Sequence, residues 1–160
     1  SDTTKISFYE NTYSLYNLYR FAHYYEEAYG KYIWLKSGAS LVIEHTEAMT
    51  VIDVNTGSVL KKKKQEDTLF YQINREAAKE IARQLRLRNI SGIIMIDFIN
   101  MKDTAQKEKL LSLLDSECKK DRVHCNVIDM TALNLVEMTR SKVRKPLHEQ
   151  IRSCMKNNRS

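Results

Sequence analysis

The sequence predicts an α/β domain, a single mixed sheet with helices packed on it, and three observations carry that prediction. Two apolar, β-branched runs, Met49–Asn55 and Ile93–Phe98, have the length and composition of strands covered on both faces. Between them lies an amphipathic stretch, about Asp67 to Arg86, that supplies a helical crossover. One proline and four glycines among 160 residues leave little material for an internal linker, so these elements belong to one unit.

Taken in order, a helix is expected from about Tyr13 to Tyr29, where Leu15, Leu18, Tyr19 and Ala22 follow helical spacing. Tyr13, Tyr16, Tyr19, Tyr24, Tyr25 and Tyr29 give it a tyrosine stripe, expected to pack on its own domain or a neighbour rather than on nucleic-acid bases. Gly30 ends it. Strands follow at Tyr32–Lys36 and Leu41–Glu44, joined by the turn Ser37-Gly38-Ala39-Ser40. The Met49–Asn55 strand runs into the turn Asn55-Thr56-Gly57-Ser58 and then the lysine run Lys61, Lys62, Lys63 and Lys64. In the crossover helix, Leu69, Ile73, Ala77, Ile81 and Leu85 recur at four-residue intervals, and Asn89-Ile90-Ser91-Gly92 breaks the chain before the next strand. A helix at about Ala105–Lys120, strands at Asn126–Met130 and Leu133–Glu137, and a basic helix at about Lys142–Met155 complete the order α-β-β-β-α-β-α-β-β-α.

Each central strand carries an aspartate near its end, Asp53 in one and Asp97 in the other, 44 residues apart. A carboxylate in such a run is costly to desolvate unless it is paired, hydrogen-bonded or bound to a metal. One such residue reads as a cap for the following turn. Two of them, separated by a crossover, read as a pair converging on one cation. With no His or Cys placed beside them, the donors are all oxygen, which suits a hard ion such as Mg²⁺.

Composition narrows the field. The excess of 26 basic over 20 acidic residues, a net charge of +6, favours a polyanionic partner. Cys118, Cys125 and Cys154 are odd in number and lack CxxC spacing, so neither a disulfide framework nor a zinc signature is expected, and reduced thiols in a cytoplasmic setting are. No run approaches the roughly 18 apolar residues of a membrane span, and the N-terminus has no secretory pattern. The sequence does not open on Met, so an excised or processed chain is expected. A homo-oligomer is compatible with this sequence, which leaves the oligomeric state open.

Beyond these residues the chain resembles a known family. Trp34-Leu35-Lys36-Ser37-Gly38, Leu41–Glu44, Thr46–Gly57, Asn74–Arg88, Gly92–Ile99 and Leu135–Arg140 are similar, block by block and in order, to the catalytic region of the ribonuclease E/G family. The resemblance implies the part of these endoribonucleases described as a DNase I-like subdomain, here residues 31–153, between a Tyr-rich segment, 1–30, and a tail, 154–160. It further implies that Asp53 and Asp97 hold one Mg²⁺ acting on the scissile phosphate of single-stranded RNA, with Asn55 hydrogen-bonding near the metal-bound groups. Lys61 to Lys64, Arg83, Arg86, Arg88 and Arg140 are then candidates for holding the RNA backbone. The chain departs from the family at Ala39, where relatives carry glycine, at His45, where they carry proline, and at Asn100, where they carry an acid. His45 is expected to be a lone structural histidine. Many relatives follow the last helix with a CPxC zinc link; Cys154-Met155-Lys156-Asn157 supplies one cysteine and no proline, so no shared zinc is expected.

Two other readings compete. A non-catalytic RNA-binding or scaffold module would keep the fold, but it would have no use for two costly strand-end acids. A phosphatase or DNase would suit the same acids and Mg²⁺, and only the family resemblance selects RNA.

Overall fold

The computed structural model describes residues 8–57 and 66–157. Its centre is a six-stranded mixed sheet built from β1 (Tyr32–Trp34), β2 (Ser40–His45), β3 (Met49–Asn55), β4 (Gly92–Asp97), β5 (Cys125–Met130) and β6 (Leu135–Arg140). The strand order is β1-β2-β3-β4-β6-β5. Only β3 and β4 run parallel. A parallel pair needs a long crossover, and α3 (Glu66–Leu87) provides it. The helices α1 (Leu15–Leu18) and α2 (Phe21–Tyr29) precede the sheet, α4 (Thr104–Cys118) joins β4 to β5, and α5 (Leu147–Asn157) follows β6.

Strand alternation sorts the side chains. Ile52 and Val54 of β3, Ile94 and Ile96 of β4, and Val136 and Met138 of β6 are buried beneath Ile73, Ala77, Ile81 and Leu85 of α3 and Leu110 and Leu114 of α4, in one continuous core. Burying each large aliphatic chain stabilises the fold by roughly 1.5–3 kcal/mol. The alternate residues Val51, Asp53, Met95, Asp97, Leu135 and Glu137 lie on the opposite face and stay partly or wholly exposed. One face holds the fold together. The other is open for chemistry.

Some expectations from sequence need correction. The single N-terminal helix is two, because Arg20 adopts a left-handed φ of 52° that ends α1. Tyr13, Tyr16, Tyr19, Tyr24 and Tyr29 are exposed rather than packed on their own domain, which leaves a neighbour as the surface expected to receive them, and Tyr16 and Tyr19 tilt against Phe21; the side chain of Tyr25 lies outside the described residues. The last strand starts two residues later than expected and extends to Arg140, since Thr131 and Asn134 form the hairpin turn, with Asn134 at a φ of 63°. The last helix starts at Leu147 rather than Lys142, because the residue before Pro146 is biased away from helical geometry. Cys118 and Cys125 are free thiols.

His45 is not lone. Its ring stacks on His148 of α5, with centroids 3.8 Å apart and planes 13° from parallel, and its Nδ1 lies 3.0 Å from Thr50 Oγ1. Burial, and then the neighbouring His148 and Arg88 charges, push His45 down to about 4; burial also lowers His148. Histidines held neutral in this way contribute stability above their ordinary value of 6.5, because below it the unfolded chain takes up protons first. Thermal melting followed from neutral pH to about pH 4 is expected to show stability falling across that window. A His148→Phe variant, which keeps a ring in the stack but cannot titrate, is expected to flatten the decline. An equal decline in the variant would assign the pH dependence to other groups.

Candidate active site

The in-register pairing of β3 and β4 builds the site. Thr50 opposes Ile94, Ile52 opposes Ile96, and Asp53 opposes Asp97. Two residues facing each other across a parallel pair project from the same face, so the carboxylates emerge side by side at the C-terminal ends of both strands. Ligands in α/β sheets characteristically gather beyond the carboxyl ends of parallel strands. Burial, and then the Asp53 charge beside it, raise the Asp97 carboxyl above its ordinary value. Two like charges held this close call for a positive counter-charge between them.

Asn55 lies beside the acid pair. Its Nδ2 donates a 2.7 Å hydrogen bond to Asp53 Oδ2 and so fixes that carboxylate's orientation. Two hard carboxylates with a neutral amide are a donor set that suits Mg²⁺, which takes one or two carboxylates and retains water and phosphate ligands. Among the described residues no group of three or more His, Cys, Asp or Glu side chains gathers as a larger metal centre would require.

The surroundings hold these groups in place. Asn74, buried in α3, clamps the chain just past Asp97: its Nδ2 donates to the Ile99 carbonyl at 2.7 Å and its Oδ1 accepts from the Ile99 N–H at 3.0 Å. Glu76, two residues further along α3, accepts from the backbone N–H groups of Lys36 and Ser37 at 2.7 and 3.2 Å and fixes the turn after β1. Gly57 adopts a φ of +56°, and a Cβ there would meet the Gly38 carbonyl oxygen at 2.8 Å, so the loop leaving Asn55 lies tight against that same turn. Sequence reasoning assigned Asn74 no role. Its signal was an amide set among the apolar positions Phe70, Ala77, Ala78 and Ile81 of the same helix.

The basic candidates divide. Arg140 is buried 16–17 Å or so along the strand from Asp97, by a rise of about 3.3 Å per residue, opposite Gly92 at the far end of β4. Its guanidinium pairs with Asp121 at 2.9 Å and donates to Asn89 Oδ1 and the Ile90 carbonyl at 3.0 and 2.9 Å. Burial alone would raise Asp121, but the Arg140 hydrogen bond holds its carboxyl below the ordinary value. Arg88 is also buried and donates to Gln84 Oε1 at 2.7 Å. Both arginines are therefore internal struts, and the expectation that they hold RNA is corrected by their burial. Arg83, paired with Glu80 at 2.7 Å, and Arg86 instead line an open groove of about 490 Å³ along the β1 edge, with Trp34, Lys36 and Lys79. Lys61 to Lys64 lie outside the described residues.

Comparison with known proteins follows the same outline. The ribonuclease E/G family profile matches residues 1–143. Ribonuclease G of Escherichia coli strain K12 is 41% identical over 145 residues, which cover 91% of this chain and 29% of the relative. Ribonuclease G of Haemophilus influenzae is 42% identical over 143 residues, 89% of this chain and 29% of the relative. Ribonuclease E of a Synechocystis species is 44% identical over 115 residues, 72% of this chain and 17% of the relative. The chain thus spans less than a third of the length of these curated relatives. The match also begins at residue 1 and so takes in the tyrosine-rich segment ahead of the sheet. With a family profile running over most of its length and relatives more than 40% identical across nearly all of it, the chain belongs to the ribonuclease E/G family.

Proposed function

We propose that this chain is the catalytic region of a Mg²⁺-dependent endoribonuclease that cleaves single-stranded RNA. The observation that carries the reading is the direct opposition of Asp53 and Asp97 across parallel strands, with Asn55 bonded to the first of them. Carboxylates placed this way serve no purpose in the core, which lies on the other face of the sheet. They hold a cation against a phosphodiester. Kinship with proteins named ribonuclease G and ribonuclease E supports RNA as the polymer, and the net charge of +6 suits a polyanion.

The chain's own residues divide the work. Asp53 and Asp97 would supply the two carboxylate ligands. Asn55, tied to Asp53, keeps that carboxylate from rotating away and presents its amide to groups around the scissile phosphate. Asn74 keeps the Asp97 strand end from shifting by clamping Ile99. When bound, Mg²⁺ supplies Lewis acidity toward the phosphoryl oxygen and lowers the pKa of a coordinated water.

Asp53→Asn and Asp97→Asn are each expected to lower Mg²⁺-dependent cleavage of a labelled single-stranded RNA by about 100-fold or more, in the range that loss of a preorganised charge contact costs, while circular dichroism and melting stay near the parent's. The substitution conserves volume, so no cavity opens. Either variant cleaving at the parent's rate at limiting Mg²⁺ would remove that residue from the site.

RNA affinity is expected to fall steeply with salt. Each phosphate contact neutralised by a lysine adds about 0.7 to the log–log salt slope for a single strand. Replacing Lys61, Lys62, Lys63 and Lys64 together with Ala is expected to weaken binding by a similar factor across unrelated RNA sequences and to flatten that slope. An unchanged slope would place the run on a solvated surface away from RNA.

A further inference from the structure

The open face of the sheet carries more than the acid pair. Following the pairing across strands, Tyr32 opposes Val42, Val42 opposes Asp53, Asp53 opposes Asp97, and Asp97 opposes Leu135. The adjacent row runs from Trp34 to Ser40 to Asn55. Residues so aligned share one face, so both aromatic residues of β1 stand on the same surface as the acids. With strands about 4.8 Å apart, Tyr32 lies two strands, or roughly 10 Å, from Asp53, and Trp34 lies the same distance from Asn55. Trp34 is 73% exposed and Tyr32 61%. A lone exposed ring would be ordinary, but two exposed aromatic rings, Tyr32 and Trp34, two residues apart on one sheet face form a patch of the kind that marks a contact site.

We propose that Trp34, with Tyr32 beside it, is a base-stacking platform that seats a nucleotide flanking the scissile phosphate. The proposal rests on the nuclease reading of the acid pair and adds to it the residue that positions the strand. Aromatic rings on a sheet face are a recurrent way of holding single-stranded nucleic acid, because every base has a flat surface to stack. The charge around the ring favours this occupant over a protein surface. The groove that continues from Trp34 around the β1 edge is lined by Lys36, Lys79, Arg83 and Arg86, with Glu76 and Glu80 already engaged by Lys36 and Ser37 backbone N–H groups and by Arg83. A strand whose phosphates follow that basic groove, whose base lies on Trp34 and whose next phosphate reaches Asp53 and Asp97 uses all three features at once. The platform is also stiff, because Glu76 pins the turn directly after β1 and the Gly57 loop packs against it. A rigid ring loses little entropy on stacking.

Trp34 is the one tryptophan of the sequence, so the chain carries its own probe. The experiment titrates the 160-residue chain with a short single-stranded RNA in EDTA, which withholds any metal needed for cleavage. It follows tryptophan fluorescence and, independently, anisotropy of a label on the RNA. The expected result is quenching that saturates with the anisotropy midpoint. Trp34→Ala is expected to weaken binding about ten-fold, in the range for one lost base stack, and Trp34→Phe to recover most of the loss. Abasic substitutions scanned along the RNA should find one position that weakens binding to the parent and has no effect on Trp34→Ala.

RNA binding with no quenching, or unchanged affinity in Trp34→Ala, would overturn the platform and leave the nuclease reading intact. Fluorescence that shifts with protein concentration in the absence of RNA would assign the ring to contact between copies, and would likewise overturn it. Absence of RNA binding by the parent in EDTA would overturn the platform, and the acid pair, which acts through a metal, then stands or falls on the Mg²⁺-dependent cleavage test of Asp53→Asn and Asp97→Asn. Circular dichroism of both variants separates a binding defect from a folding defect.

Discussion

Parallel pairing of β3 with β4 is the constraint on which the rest of the structure depends. It places Asp53 opposite Asp97, and because the side-chain period of a strand is two, the register that brings the acids together also sends Ile52 and Ile96 into the core. A slip of one residue in either strand would drive a carboxylate beneath α3 and expose an isoleucine. Burial of the aliphatic partners therefore holds two mutually repelling groups side by side. Since a parallel pair cannot be closed by a tight turn, α3 follows from the same constraint, and its Asn74 and Glu76 become available to brace the loops at the site end of the sheet.

The two faces of the sheet do different work. On the helical side, charge is consumed internally: Arg140 bridges Asp121, Asn89 and Ile90, and Arg88 engages Gln84. These contacts lie at the end of the sheet away from the acids, where breaking a buried ion pair would cost roughly 3–5 kcal/mol. On the open side, carboxylates, an amide and exposed aromatic rings share two rows of the pleat.

Much of this was legible in the sequence because the signals were local and periodic. The strands around Asp53 and Asp97 and the stripe of Leu69, Ile73, Ala77, Ile81 and Leu85 announce themselves by composition and spacing. The acid pair was legible for a different reason: a carboxylate ending an apolar run is anomalous, and the anomaly occurs twice. The break at Arg20 was not legible, because a left-handed arginine leaves no mark in composition. Nor were the bonds of Arg140 to Asn89 and Ile90, or the stacking of His45 on His148, since each depends on residues 50 or more positions apart in sequence meeting in space. Trp34 and Tyr32 could be named as aromatic residues from sequence, yet only the strand register puts them in line with the acids.

The central claim is that Asp53 and Asp97 together hold one divalent cation. Counting free Mn²⁺ by electron paramagnetic resonance as the chain is titrated tests it directly, with Mn²⁺ standing in for Mg²⁺ as an oxygen-seeking ion. One bound ion per chain is predicted, displaced by excess Mg²⁺ and lost in both Asp53→Asn and Asp97→Asn. Binding that weakens as pH is lowered into the raised titration range of Asp97 is part of the same prediction. Mn²⁺ bound equally well by either variant, or not bound by the parent, would contradict it.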